Sequence, residues 1–155
     1  MPSPNFRGGP LLKLDDKSRL TVPARYKEVL LAAPTNGHLI VAKNPDFCLT
    51  IFPLPVWELF EADVSALSIE QAPWKRLYTG SATDVDIDNA GRVLIAPELR
   101  EWAGMASREV KLMGMGAYFE LWDSARYAEQ EAKLLAGPRP EAVSRLVIRW
   151  PGQGE

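Results

Sequence analysis

Short apolar stretches separated by polar, turn-forming residues set the pattern of the first part of the chain. Residues 11–14 and 19–22 predict two short strands, because leucine and β-branched side chains dominate both and Asp, Lys and Ser lie between them. A helix is expected to begin at Pro23, since the first helical position needs no N–H. The next apolar stretches predict a hairpin of residues 39–41 with residues 49–52. The order is strand, turn, strand, helix and hairpin.

The rest of the chain predicts a helix and then the same order of elements again. Asp123 and Gly137 fit the N-terminal and C-terminal ends of a helix over residues 124–136. Residues 141–150 fit either a helix or a strand, because their apolar residues are helically spaced but include the continuous run 146–148. The predicted elements are, in order, a helix over about 56–67, a connector over 71–78, strands at 85–87 and 92–95, a helix that begins at Pro97, a hairpin of 110–113 with 118–122, and a helix over 124–136.

Two turns of similar composition lie about 70 residues apart, which indicates an internal duplication. Asp15 and Arg19 flank the first turn, and Asp88 and Arg92 flank the second at the same Asp-x-x-x-Arg spacing. A short apolar stretch and then a proline follow each arginine. Each module is too small to bury both faces of its β-ribbon. The sequence therefore predicts two interleaved modules, and it favours oligomerisation.

Composition and charge exclude several classes of protein. The chain has 155 residues, of which 46% are hydrophobic and 25% charged, so a folded core is expected rather than disorder. With one cysteine and one histidine, it lacks the residues for an internal disulfide or a four-ligand Cys/His zinc site. No apolar run approaches the roughly 20 residues of a membrane span, and the first residues lack a signal-peptide core. We expect a soluble intracellular protein.

The net charge of −2 is uninformative, but its distribution is uneven. Residues 1–27 carry six basic side chains against two acidic ones, whereas residues 53–72 carry four acidic side chains and no basic one. Such separation gives a locally positive surface on an acidic protein, although charges scattered over a solvated surface give the same count.

No catalytic or cofactor motif is complete. The acidic stretch 84–91 resembles a calcium loop but has Ile95 where the twelfth position needs a glutamate, so we interpret it as a solvated strand edge. His38 is expected at a surface turn without a nucleophile, and the two glycines at 114 and 116 fit a hairpin turn rather than a dinucleotide loop. The sequence predicts no enzyme, no metal site and no cofactor.

The two Asp-x-x-x-Arg turns remain distinctive and have two interpretations. Arg19, with Lys17 beside it, is placed to contact phosphate or guanine if the turn belongs to a β-ribbon in the major groove. Alternatively, Asp15–Arg19 and Asp88–Arg92 are structural ion pairs that hold the turns. The two roles are compatible in an oligomer, and the sequence does not choose between them.

The turns, the apolar residues after them and the flanking aromatic residues resemble the MraZ family of bacterial transcriptional regulators. The similar segments are residues 6–8, 14–26, 89–100 and 119–122, and the resemblance covers about residues 6–135. It implies an α+β fold of two pseudo-symmetric AbrB-like swapped-hairpin β modules with flanking helices. The implied divisions are a first SpoVT-AbrB-like module at 8–55, a helical connector at 56–81, a second module at 82–126, and a C-terminal helix and tail at 127–155.

The resemblance also implies a function. Members of the family are cytoplasmic, nucleoid-associated proteins that form rings of subunits and bind direct repeats in double-stranded promoter DNA. They usually repress their own gene and the division and cell-wall gene cluster. An AbrB-type antitoxin and a ring scaffold that does not bind DNA are the alternatives.

Residue by residue, the resemblance places Asp15 and Asp88 as motif residues of the two turns, and Arg19, Lys17, Arg7 and Arg92 as DNA-binding residues. Ser18 stands where the family usually has the glycine that the second turn keeps as Gly91. If that position needs a positive φ, Ser18 is strained by about 1 kcal/mol.

Overall fold

A computed structural model describes residues 4–153. Its helices and strands follow the predicted order, with two short 3-10 turns at Ile69–Gln71 and Thr79–Ser81. The strands are β1 (Leu11–Lys13), β2 (Arg19–Thr21), β3 (His38–Asn44), β4 (Cys48–Pro53), β5 (Thr83–Asp86), β6 (Arg92–Leu94), β7 (Glu109–Gly114) and β8 (Phe119–Asp123). The helices are α1 (Ala24–Leu31), α2 (Leu54–Ser65), α3 (Ala72–Tyr78), α4 (Pro97–Trp102), α5 (Ser124–Ala136) and α6 (Glu141–Ser144).

Six strands form one antiparallel sheet in the order β1-β7-β8-β4-β3-β5. Each hairpin is flanked by a strand from the other half of the chain, because β1 pairs with β7 and β5 pairs with β3. The two hairpins join where β4 pairs with β8. This exchange confirms the predicted α+β fold of two interleaved modules, since the outer strand of each half completes the sheet of the other.

The remaining two strands, β2 and β6, form a separate two-stranded ribbon. Leu20 lies opposite Val93 in its register, and both side chains are buried. They join the main core, which also takes in Leu39, Leu49 and Phe119 of the large sheet. An isolated two-stranded ribbon is marginally stable in water, so its inner face depends on this shared core.

A smaller aromatic cluster lies under α2. Ile40, Ala42, Phe52 and Trp57 are buried there, and Phe52 packs edge-on against Trp57 with ring centroids 5.0 Å apart. The helical spacing of Val56, Phe60, Val64 and Leu67 predicts the buried face of this helix, but Leu67 is exposed and Trp57 is buried. The helix begins two residues earlier than predicted, because Pro53 precedes it and Pro55 fits its first turn. It also ends two residues earlier, so Leu67 lies beyond its last turn.

Three other expectations need correction. Pro23 precedes α1 as its N-cap rather than opening it. The helical spacing of Tyr26, Val29 and Leu30 predicts that they share the buried face of α1, but Val29 is exposed. Residues 141–150 are neither one helix nor one strand, because α6 ends at Ser144 and residues 146–150 lie outside helix and sheet.

The length and hydrophobicity of the helices decide whether any of them can cross a membrane. Within residues 4–153, every helix is too short or too polar to span a bilayer.

We predict that Leu20→Ala lowers the free energy of unfolding by about 2–5 kcal/mol, because it leaves a cavity in the shared core. Leu94→Ala on the same ribbon is the matched control, since Leu94 is 54% exposed and surface truncations change stability by about 0.5 kcal/mol or less. Urea denaturation of both variants measures the difference. Equal effects would contradict the assignment of the ribbon's inner face.

Candidate nucleic-acid interface

The ribbon of β2 and β6 presents a polar outer face. Strand alternation turns Leu20 and Val93 into the core, so their neighbours point away from it. The outward residues are Arg19, Thr21, Arg92 and Leu94. Arg19 lies opposite Leu94 and Arg92 lies opposite Thr21, so the two arginines stand at diagonal corners of one face.

Asp15 fixes the first turn and the direction of Arg19. Its Oδ1 accepts the backbone N–H groups of Lys17 and Arg19, each at 2.9 Å. Its Oδ2 accepts Nε of Arg19 at 2.8 Å. The main chain closes the same loop, because the Asp15 N–H donates to the Arg19 carbonyl at 3.0 Å. One carboxylate therefore orders both the turn and the guanidinium that follows it.

The second turn repeats this geometry. Oδ1 of Asp88 accepts the N–H groups of Ala90 and Arg92 at 2.9 Å, and its Oδ2 accepts Nε of Arg92 at 3.2 Å. Nη1 of Arg92 also lies 3.9 Å from Oδ2 of Asp15. The two turns thus share a carboxylate, and the ion pairs that the sequence allowed as one interpretation are present.

The electrostatics keep both carboxylates charged at neutral pH. The Arg19 N–H donating to Asp15 holds the pKa of that carboxyl below its ordinary value, and the Arg92 N–H has the same effect on the pKa of Asp88. Arg19 gives one N–H of its five to Asp15. Among residues 4–153, no acceptor is hydrogen-bonded to its two Nη groups, so these remain available to a phosphate or a base.

The residue before each arginine has a left-handed backbone. Ser18 has φ +61° and Gly91 has φ +78°, which confirms that the first turn imposes on serine a conformation suited to glycine. Each of these residues also bonds to the other half of the chain. The Val22 N–H donates to the Gly91 carbonyl at 2.9 Å, and the Ile95 N–H donates to the Ser18 carbonyl at 3.0 Å.

The other predicted site residues divide into two places. Lys17 is exposed beside Arg19 in the first turn. Arg7 is exposed but follows Phe6, which bridges to Gly116, whereas the N–H of Leu14 bonds to the Arg108 carbonyl at the opposite end of the same pairing. Eight extended residues span roughly 26 Å. The structure therefore brings Lys17, Arg19 and Arg92 together and places Arg7 at the far end of the sheet.

Lys27 is a neighbour of the second turn that the sequence reasoning missed. A Cβ on Gly91 would lie 3.0 Å from Cδ of Lys27 and 3.4 Å from its Nζ, so this side chain lies over the turn. Lys27 belongs to α1 of the first half, and only the pairing of the halves places it there. One feature of the sequence could have indicated this position. Lys27 comes four residues after Pro23, in the helix that follows the first turn, and this helix lies against the second turn.

The acidic strand edge has a partner that the sequence did not suggest. His38 begins β3 opposite Asp86 of β5. Its Nε2 lies 2.9 Å from Oδ2 of Asp84, and its Nδ1 lies 3.1 Å from Oδ1 of Asp86. The Asp84 contact raises the pKa of His38 above its ordinary value. His38 is therefore a strand residue that joins two carboxylates, rather than a turn residue without partners.

The remaining chemistry is sparse within residues 4–153. No group of three His, Cys, Asp or Glu side chains there lies close enough to hold a metal ion. Cys48 is buried, and burial raises the pKa of its thiol well above the usual range, so the reactive thiolate is disfavoured.

Comparison with known proteins matches this duplicated architecture. A family model described as "MraZ protein, putative antitoxin-like" matches twice, over residues 6–79 and 78–149. The chain belongs to the MraZ family. Proteins named "Transcriptional regulator MraZ" from Burkholderia vietnamiensis and Burkholderia multivorans are each 47% identical over 143 residues, which cover 92% of this chain and 99% of the relative. A protein of the same name from Burkholderia mallei is 46% identical over the same shares.

The MraZ match extends the resemblance beyond the expected end at about residue 135. The second copy of the family model runs to residue 149, so it includes α6 and most of the tail. The names of the relatives describe regulators and indicate no catalytic activity.

The left-handed backbone gives a prediction on stability. Ser18→Gly relieves about 1–2 kcal/mol of backbone strain and loses about 0.5–1 kcal/mol to the entropy of the unfolded glycine. We expect a net gain of about 0–1.5 kcal/mol in the free energy of unfolding.

Gly91→Ala is expected to lower the same free energy by about 1–2 kcal/mol, because its φ is positive and Lys27 must shift. Gly80→Ala is the control, since φ there is not left-handed and its nearest neighbour would be 4.0 Å away. Chemical denaturation of the three variants compares them. A lower free energy of unfolding for Ser18→Gly than for the wild type would contradict the inference that Ser18 is strained.

His38 gives a prediction on pH. Its pKa is raised in the folded protein, so its contribution to stability is fully present below the ordinary value of 6.5 and declines as the pH rises through the folded value. We expect His38→Gln to lose the most stability near pH 5.5 and little near pH 8.5, measured by urea denaturation across this range. A loss of stability that does not depend on pH would show that the imidazole of His38 contributes by packing alone.

Proposed function

We propose that this protein is a sequence-specific, DNA-binding transcriptional regulator whose reading surface is the outer face of the β2–β6 ribbon. The observation that carries the proposal is the pair of arginines at diagonal corners of that face, each oriented by a carboxylate in its own turn. A two-stranded ribbon fits the major groove, and bidentate contact of arginine with guanine is the commonest specific pairing.

The surroundings of the ribbon favour a polyanion. Lys17 and Lys27 lie beside the two turns. The Arg108 carbonyl accepts the N–H of Leu14, the residue before Asp15 of the first turn. Asp15 and Asp88 are neutralised by the arginines that they hold. Phosphate contacts from the lysines would position the chain, while the arginines would read bases. Arg7 belongs to this proposal only as a separate phosphate contact at the far end of the sheet.

The few contacts of one ribbon make avidity the mechanism. A single subunit offers two reading arginines, which is little for tight specific binding. In a ring of subunits, adjacent ribbons would engage consecutive direct repeats, and linked binding multiplies affinity by roughly a hundredfold or more when the spacing matches. As the family resemblance implies, the protein would repress its own promoter and the division and cell-wall gene cluster, in the cytoplasm and on the nucleoid.

The test is fluorescence anisotropy of the protein with DNA from upstream of its own gene, against a scrambled sequence. We expect specific binding with a log–log salt slope of several units. Arg19→Ala should abolish the preference for the native sequence, at an estimated loss of about 1–3 kcal/mol per bidentate contact. Arg19→Lys should keep the salt slope while weakening the specificity, because it keeps the charge without the planar fork.

Asp15→Asn is the control that separates reading from structure. Asn keeps one oxygen to accept the two backbone N–H groups of the turn but has no second oxygen to hold Nε of Arg19. If Arg19 reads DNA, Asp15→Asn keeps the guanidinium and removes a negative charge, so total affinity is unchanged or increased, while the preference for the native sequence falls less than in Arg19→Ala. If Arg19 only holds the turn, Asp15→Asn and Arg19→Ala weaken binding to both DNAs equally. Equal, weak binding of the wild type to both DNAs would overturn the proposal.

The family description as antitoxin-like favours one second candidate, in which a toxin protein is the main partner. A stable complex of the purified chain with a co-expressed toxin, together with unspecific DNA binding, would support that candidate. A ring that ignores every DNA tested would instead support a scaffold.

A further inference from the structure

The last part of the described chain contains no buried residue. Every residue from 128 to 153 is exposed. The stretch is nevertheless rich in large apolar side chains, and five of them are more than two-thirds exposed. These are Leu134, Leu135, Leu146, Val147 and Trp150, and Ile148 beside them is fully exposed. Large apolar patches are rarely exposed on a monomer, so this concentration of exposed apolar side chains favours an interaction site.

An apolar groove lies elsewhere on the surface. It has a volume of about 800 Å³ and runs between α1, α2, β4 and the turn before β8. Leu59 on its wall is 74% exposed and Val29 is 43% exposed, although α2 is otherwise packed on the aromatic cluster. The residues that carry the argument are Val29, Phe52, Leu59, Phe60 and Tyr118.

The groove and the tail have opposite charges. Asp63 is the charged residue in the described lining of the groove. The same helix, α2, also carries Glu58 and Glu61 outside the lining, and residues 53–72 contain no basic residue. Residues 137–150 carry Arg139, Arg145 and Arg149 against one carboxylate, Glu141. An apolar segment that carries arginines therefore complements an apolar groove that has a carboxylate in its wall and lies against an acidic helix.

We propose that residues 146–150 of one copy bind the apolar groove of a neighbouring copy. The segment lies outside helix and sheet, and in an extended chain Leu146, Ile148 and Trp150 share one side. Those three enter the groove, while Val147 and Arg149 point away from its floor. Arg149 lies on the side of Asp63 and the acidic helix α2. With α6 kept, residues 137–150 span up to roughly 40 Å, at about 1.5 Å per helical residue and about 3.3 Å per extended residue. This exceeds the ~30 Å diameter of a small domain, so the tail is long enough to reach another subunit.

The contact concerns the oligomer of the proposed function but is tested without DNA. Ile148→Glu and Leu59→Glu alter the two sides of the contact, and both wild-type side chains are exposed, so neither variant threatens the core. Leu135→Glu is the matched control, because Leu135 is 76% exposed and lies outside the proposed binding segment. Analytical ultracentrifugation over a concentration series measures assembly. We expect each of the first two variants to raise the half-assembly concentration at least tenfold, and Leu135→Glu to change it less than threefold.

Cross-linking determines whether the contact joins two copies. A variant with both Leu59→Cys and Ile148→Cys is treated with a short bismaleimide, to which the buried Cys48 is inaccessible. We expect covalent dimers and larger species in denaturing gels. A fast-migrating cross-linked monomer would show that the tail occupies the groove of its own chain, and it would overturn the proposal. Wild-type assembly by both Glu variants would overturn it as well.

The outcomes separate this contact from the DNA-binding proposal. If Ile148→Glu dissociates the oligomer and the wild type ignores its upstream DNA, the tail contact stands and the regulator proposal fails. If the wild type binds its DNA specifically and Ile148→Glu assembles normally, the regulator proposal stands and the tail contact fails.

Discussion

The hydrogen bonds between the turns of one half and the strand ends of the other are the constraint on which the structure depends. The carbonyls of Ser18 and Gly91 accept the N–H groups of Ile95 and Val22. Both carbonyls belong to residues with a positive φ. The ribbon, the shared core beneath it and the placement of both arginines follow from this exchange, since β2 has no partner strand in its own half.

The sequence predicts much of this arrangement because the signals are local. Turn residues, alternating apolar strands and Asp123 as an N-cap gave the order of the elements, and the range of α5 is as predicted. The duplication is visible because Asp15–Arg19 and Asp88–Arg92 keep the same spacing. Ser18 stands out because its counterpart in the second turn is a glycine, and its φ is positive.

Contacts between the two halves of the chain could not be predicted from the sequence. The pattern of hydrophobic residues shows which face of an element is apolar, but it does not show which element covers that face. Lys27 lies over Gly91, and Asp84 and Asp86 lie on both sides of His38, only after β5 pairs with β3. The same limit applies to α2, where helical spacing favoured Leu67 while the packing against Phe52 selected Trp57. The sharing of Asp15 by Arg19 and Arg92 likewise depends on the pairing of β2 with β6.

Because both turns belong to one polypeptide, the two ends of the ribbon have been free to diverge. A ribbon made by two identical chains presents the same corner twice and has no polarity. Here one corner has Ser18 and Lys17 before its arginine, and the other has Gly91 and Ala90. A linear polymer that lies along this face contacts two different turns in a fixed order, so the ribbon has a direction along the polymer. Copies aligned along such a polymer would all point the same way.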